Sequence, residues 1–208
     1  MSATERDAES GTRPKRADAR RNQEALLEAA AAVFISSGVE APVREIAAKA
    51  GVGTATIYRH FPTRADLIVA VYRHQVERLA EAAPELLVDS ATPHAALSRW
   101  IDSFVDFVVT KQGLAAVLQS DDPCYDPLHS YFVDRLVPVC QQLLDAAVDA
   151  GEIVPGQAPY ELMRAIGGLC AGGDHPGYDP RRLANLLVTG LRRSSDAPGT
   201  LPETWSRP

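Results

Sequence analysis

Apolar side chains in this chain recur at three- and four-residue steps, and no stretch alternates convincingly at every second residue. That spacing places buried side chains on one stripe of a helix and argues against a sheet. Leu26, Ala29, Ala30, Val33 and Phe34 form the first stripe, and Gly38 ends it as a left-handed C′ residue would. Residues 18–38 are therefore expected to be helix one. Residues 43–50 carry Val43, Ile46, Ala47 and Ala50 on one face, with Pro42 at the helix start, and 54–61 form a second short helix with Thr54 as its N-cap. Thr63 caps a longer helix through Leu67, Ile68, Val71, Tyr72, Val76 and Leu79, expected to end near Pro84. Further helices are expected over 93–111, 112–120, 126–150 (kinked at Pro138), 159–171 and 179–191, which makes an all-α chain of nine helices.

The length, 208 residues with 46% apolar and 23% charged, suits a packed core rather than disorder. No apolar run approaches the ~20 residues that span a bilayer, and residues 1–11 lack the apolar stretch of a signal peptide. A cytoplasmic protein with no membrane partner is expected. Cys124, Cys140 and Cys170 are odd in number and widely spaced, so they are expected as buried small apolar residues, neither disulfide-bonded nor zinc-bound. The net charge of −6 hides an asymmetry. Residues 13–73 hold ten Lys/Arg against six Asp/Glu, whereas residues 79–208 hold nine against seventeen. A basic front on an acidic body suits one half meeting phosphate.

The informative segment runs from Val43 to Phe61. Two short helices flank a turn at Gly51, where glycine supplies the positive φ of a tight reversal. Ala47 lets the helices approach, while Val52 and Ile57 plug the angle between them. This is the logic of a helix-turn-helix, whose second helix lies in the major groove while the first crosses the backbone. Thr54, Thr56, Tyr58, Arg59 and His60 offer hydrogen-bonding groups, and Ala55 permits close approach to a thymine methyl or a sugar. Taken singly, each is equally a solvated surface residue; the run together with its turn is the signal.

Residues 38–67, above all Tyr58-Arg59-His60-Phe61 followed by Arg64 and Leu67, closely resemble the TetR family of bacterial repressors, and the match covers roughly residues 18–79. The resemblance implies an Ω-shaped homodimer of nine-helix chains, three helices for DNA and six for ligand and dimer. It implies that Thr54, Ala55, Thr56, Tyr58, Arg59 and His60 occupy recognition-helix positions, that Arg44 matches a base-contacting position, and that Arg64 meets phosphate. Residues 1–17, a mobile arm with Arg13, Lys15 and Arg16, continue into Arg20 and Arg21 and either reach the DNA backbone or stay solvated. Two positions depart from the family pattern. Ala41-Pro42 stands where many members have Thr or Ser, and Gly53 where many have Ser, so two hydroxyls are missing.

The expected domains are residues 18–62 for DNA and 63–193 for ligand binding and dimerisation, followed by a frayed tail over 194–208. A small-molecule effector, of unknown identity, is expected among Tyr72, Trp100, Phe104, Phe107, Leu118, Phe132, Leu136, Cys140 and Met163, although aromatics at helical spacing also serve as plain core. Leu162, Ala165, Ile166, Leu169, Leu183, Leu186 and Leu187 are expected at a two-fold interface, where Gly167-Gly168 allows close approach; for these the competing role is intrachain packing. The glycine-rich run from Gly172 is a connector, since it lacks the strand and Gly-Lys-Ser/Thr of a phosphate loop. The five histidines have no metal-ligand spacing, and no cofactor is expected. No nucleophile elbow or His-Glu-x-x-His motif supports an enzyme. Two further functions compete with repression: transcriptional activation, and small-molecule binding by a helical protein without DNA function.

Overall fold

The computed structural model describes residues 12–113, 125, 127–172 and 177–193. Eight helices lie among them: α1 (Thr12–Ser37), α2 (Val43–Ala50), α3 (Thr54–His60), α4 (Arg64–Asp89), α5 (Pro93–Gly113), α6 (Pro127–Asp149), α7 (Pro159–Cys170) and α8 (Pro180–Gly190). Among the described residues there is no strand beyond a single bridge between Ile153 and Arg192. The helix expected over 112–120 and the tail over 194–208 fall largely or wholly outside the described residues.

Helix α1 begins at Thr12, so the expected mobile arm is helical over its last residues. Pro14 does not prevent this, because backbone N–H groups in a first turn have no helical partner to lose. At the other end Gly38, at φ 78°, returns its N–H to the Phe34 carbonyl at 3.1 Å. Helix α4 also exceeds its expected length. Pro84 stays inside it, exposed, while Leu86 and Leu87 continue to pack on the core and Ser90 N–H bonds the Leu86 carbonyl at 3.0 Å. Burial of those leucines favours the extra turn, and Pro84 has its ring on the solvent side. Pro138 likewise lies within a continuous α6, on its exposed side.

The body is built around α4, which packs against α1, α5 and α6, with α8 and α7 laid against α5. Its centre is aromatic. Trp100 and Phe104 stack with centroids 5.6 Å apart, Phe107 and Phe132 with centroids 5.9 Å apart, and Tyr72 meets the edge of Phe107 at 5.5 Å. Trp100 donates its indole N–H to the Leu79 carbonyl at 2.9 Å, which ties α5 to α4. Burial of each ring brings on the order of 2 kcal/mol or more. Polar struts lie outside that core. Glu77 on α4 accepts from Arg135 Nε on α6 at 2.8 Å and from the Tyr131 hydroxyl, while Arg73 sits over the Tyr131 ring. Asn185 on α8 donates to Asp102 on α5 at 3.0 Å, and Arg181 pairs with Asp106.

Candidate nucleic-acid interface

Helices α2 and α3 are held by their inner faces. Ile46 and Ala47 from α2 and Ile57 from α3 are buried with Phe34, Val39 and Phe61 in one continuous core, and Val52 packs against it from the turn. Gly51 adopts φ 67°, ψ 28°, and Val52 N–H returns to the Ala47 carbonyl at 3.0 Å. The chain reverses within three residues, as the sequence demanded. The helix starts differ from expectation. Gly53, not Thr54, is the N-cap of α3, and Pro42 is the N-cap of α2 rather than its first residue. Neither cap offers a side-chain acceptor, so the two missing hydroxyls leave both first turns open to an outside acceptor such as phosphate.

With the inner faces buried, what remains of α3 faces outward. Thr54, Ala55, Tyr58, Arg59 and His60 are exposed, Thr56 is half-buried, and Tyr58 keeps 53% of its surface although large aromatics are costly to leave in water. Arg44, on the first turn of α2, is also exposed. Seven of the eight residues expected to meet DNA thus share the outer surface of α2 and α3. Lys49, in the last turn of α2, is also exposed, off the side that Ile46 and Ala47 bury.

Arg64 is the exception. Its guanidinium donates to the Val39 carbonyl and sits over the Phe34 ring, 5.3 Å from the centroid. It braces the start of α4 against the end of α1. The helix it opens is firmly begun. Thr63 Oγ1 accepts from Asp66 N–H at 3.1 Å, and Asp66 accepts from Thr63 N–H at 3.0 Å, a complete capping box.

A sequence family described as bacterial regulatory proteins, tetR family, matches residues 26–71, and one described as transcriptional regulator SbtR-like, C-terminal domain, matches residues 92–193. The HTH-type transcriptional repressor LfrR of Mycolicibacterium smegmatis is 38% identical over 181 residues, 82% of this chain and 88% of LfrR. The chain belongs to the TetR family. The crystal structure of the TetR transcriptional regulator SCO0520 from Streptomyces coelicolor superimposes on this TetR-family chain with a TM-score of 0.71 at 34% identity, covering 82% of this chain and 98% of that one. The HTH-type transcriptional activator FasR of M. smegmatis is 32% identical over 106 residues, half of this chain and 48% of FasR. The TetR-family assignment makes the chain a DNA-binding transcriptional regulator.

The residues expected around an effector fare differently. Tyr72, Trp100, Phe104, Phe107, Phe132, Leu136, Cys140 and Met163 are all buried, most of them against one another, whereas Leu118 lies outside the described residues. Burial raises the Tyr72 hydroxyl well above its usual range and pushes the Cys140 thiol up to about 12, so neither ionises near neutral pH. Cys140 and Cys170 are free, buried thiols, and Cys124 lies outside the described residues. Of the interface set, Leu162 and Ile166 are turned into the chain's own core. Ala165, Leu169, Leu183, Leu186 and Leu187 retain exposed or half-exposed surface. Among the described residues no cluster of His, Cys, Asp or Glu could hold a metal, and no helix is long and apolar enough to cross a membrane.

Proposed function

We propose that this regulator is a homodimeric repressor that binds a pseudo-palindromic operator and is released by a small-molecule effector. The outer face of α3 carries the reading: a helix anchored by Ile57 presents Thr54, Tyr58, Arg59 and His60 exposed, with Thr56 half-buried beside them. The similarity to the repressor LfrR supports repression over activation, since it spans most of both proteins whereas the similarity to the activator FasR spans half. Two copies related by a two-fold axis set their α3 helices about one DNA turn apart, roughly 34 Å. Leu186, 62% exposed on α8, and its half-buried neighbours Leu183 and Leu187 supply an apolar face for the partner. Release follows when an effector prefers a conformation in which α4 has shifted and the two heads no longer match the operator.

A gel shift with DNA flanking the gene, at two salt concentrations, tests this. A discrete, competitor-resistant complex that weakens as salt rises is expected, because phosphate contacts release counterions. Tyr58→Ala and Arg59→Ala should each weaken the complex by about tenfold or more while leaving the fold intact. Normal operator binding by both variants would remove α3 from the interface.

A further inference from the structure

His74 stands where α4 meets α1. Its side chain, half-buried, shares one wall with Glu28 and Ala31 of α1 and with Ser103 and Asp106 of α5. The ring nitrogen Nε2 is shut off from solvent and has no hydrogen-bond partner. A neutral imidazole can leave one nitrogen bare at moderate cost. An imidazolium carries an N–H at both nitrogens, so Nε2 would then hold a charged donor with neither an acceptor nor water. The charged groups around it are engaged elsewhere or solvated. Glu28 pairs with Arg78, Glu24 with Arg20, and Asp106 with Arg181 of α8, while Arg73 lies over the Tyr131 ring of α6 and Glu81 is exposed.

Burial makes His74 less basic than an ordinary imidazole. Glu28 opposes this, Arg78 adds to it, and Glu24 and Glu81 oppose it more weakly. The unfolded chain therefore takes up the proton first. The stability that the neutral ring contributes is present above its ordinary 6.5 and is lost as the pH falls below that value. The position gives this loss a direction. Helix α1 packs against α2 of the reading head, and α4 leads from the head into the body. Opening the contact between α1 and α4 lets water reach Nε2, and it displaces α2 together with α1. We propose that His74 is a proton-operated latch between α1 and α4: the neutral ring lets the two helices close and fix the head, and a proton on it opens their contact and weakens the operator complex. The effect on the operator rests on the reading of α3 as the DNA-contacting helix; the opening of α1 from α4 does not.

The full-length protein, taken from about pH 7.5 to about 5.5, tests the latch with and without DNA. Without DNA, the His74 ring resonance, assigned by its absence in His74→Gln, should titrate with a midpoint below 6.5. The urea midpoint should fall with pH more steeply in the wild type than in that variant. With operator DNA, the two proteins should bind alike at the upper pH, and the wild type should lose about fivefold relative to the variant at the lower, the small end of the range for coupled sites. Comparison with the variant cancels the other histidines, His60 on α3 among them, which both proteins keep. His74→Phe serves the same comparison if the glutamine variant does not fold. A ring that titrates at or above 6.5, or urea midpoints that fall in parallel, would overturn the latch. Parallel operator profiles beside diverging urea midpoints would overturn its coupling to the head. Absence of operator binding by both proteins at every pH, with the urea difference intact, would strike the reading of α3 and still support the latch between α1 and α4.

Discussion

Gly51 and Gly53 stand two residues apart in one turn, and both have open space where a Cβ would go. The sign of φ separates them: Gly51 is at 67° and Gly53 at −76°. Gly51→Ala should therefore destabilise the fold by about 1 kcal/mol through backbone strain alone. Gly53→Ser should stabilise it by about 0.5 kcal/mol, by supplying an N-cap acceptor and restricting the unfolded chain. Thermal unfolding of the two variants checks the pair, and a loss of stability in both would mean that crowding rather than φ governs the turn. At this scale the sequence was readable where local geometry decides, as at Gly38, Gly51 and Thr63. It was silent where a distant group takes part. Arg64 carries the charge of a phosphate ligand, and its contacts with Val39 and Phe34 arise only once the fold brings them beside it.

Among the elements, α4 is held to α6 by a strut that periodicity does not reveal. Glu77 and Arg135 are both polar surface positions, and their meeting depends on how the two helices pack. The arginine, chiefly, together with the Tyr131 hydroxyl, holds the Glu77 carboxyl at about 2, well below its ordinary 4.5. A depressed acid pKa contributes stability above the unfolded value, and that contribution is lost as pH falls from about 4.5 toward 2. Because the pair is partly exposed, solvent screening limits its worth to about 1 kcal/mol. Glu77→Gln should lower stability by that amount at neutral pH and should flatten the stability curve between pH 5 and 2 (about the window of the titration). Denaturant unfolding across that range would show it, and parallel curves for wild type and variant would refute the strut. Helix existence was legible throughout the described residues because the apolar stripes are long. Helix ends were not. Pro84 looked like a stop, yet Leu86 and Leu87 had core to reach.

For the whole molecule, the apolar face around Leu186 should hold two chains together. Leu186→Arg places a charge at its most exposed point and should shift the protein from dimer to monomer, read by light scattering, with operator affinity falling in parallel. An unchanged dimer would put the interface elsewhere. The site was legible to unequal depth at this scale. The outer face of α3 could be read because it is contiguous in sequence, whereas surfaces assembled from several helices, such as the one where Glu77 meets Arg135, exist only once the helices are packed. Helix α4 joins the two levels. It runs 26 residues without interruption from the Thr63 cap, beneath the reading head, to Asp89 in the body, a length of about 39 Å. A lever that long gears small movements up. A tilt of about 5° about its far end displaces the near end by about 3 Å, close to the roughly 3.4 Å rise of one base pair. If the chain works as the proposed effector-released repressor, switching needs no unfolding and no large rearrangement: a slip of the head by a single step of the duplex would lose the operator by misregistration.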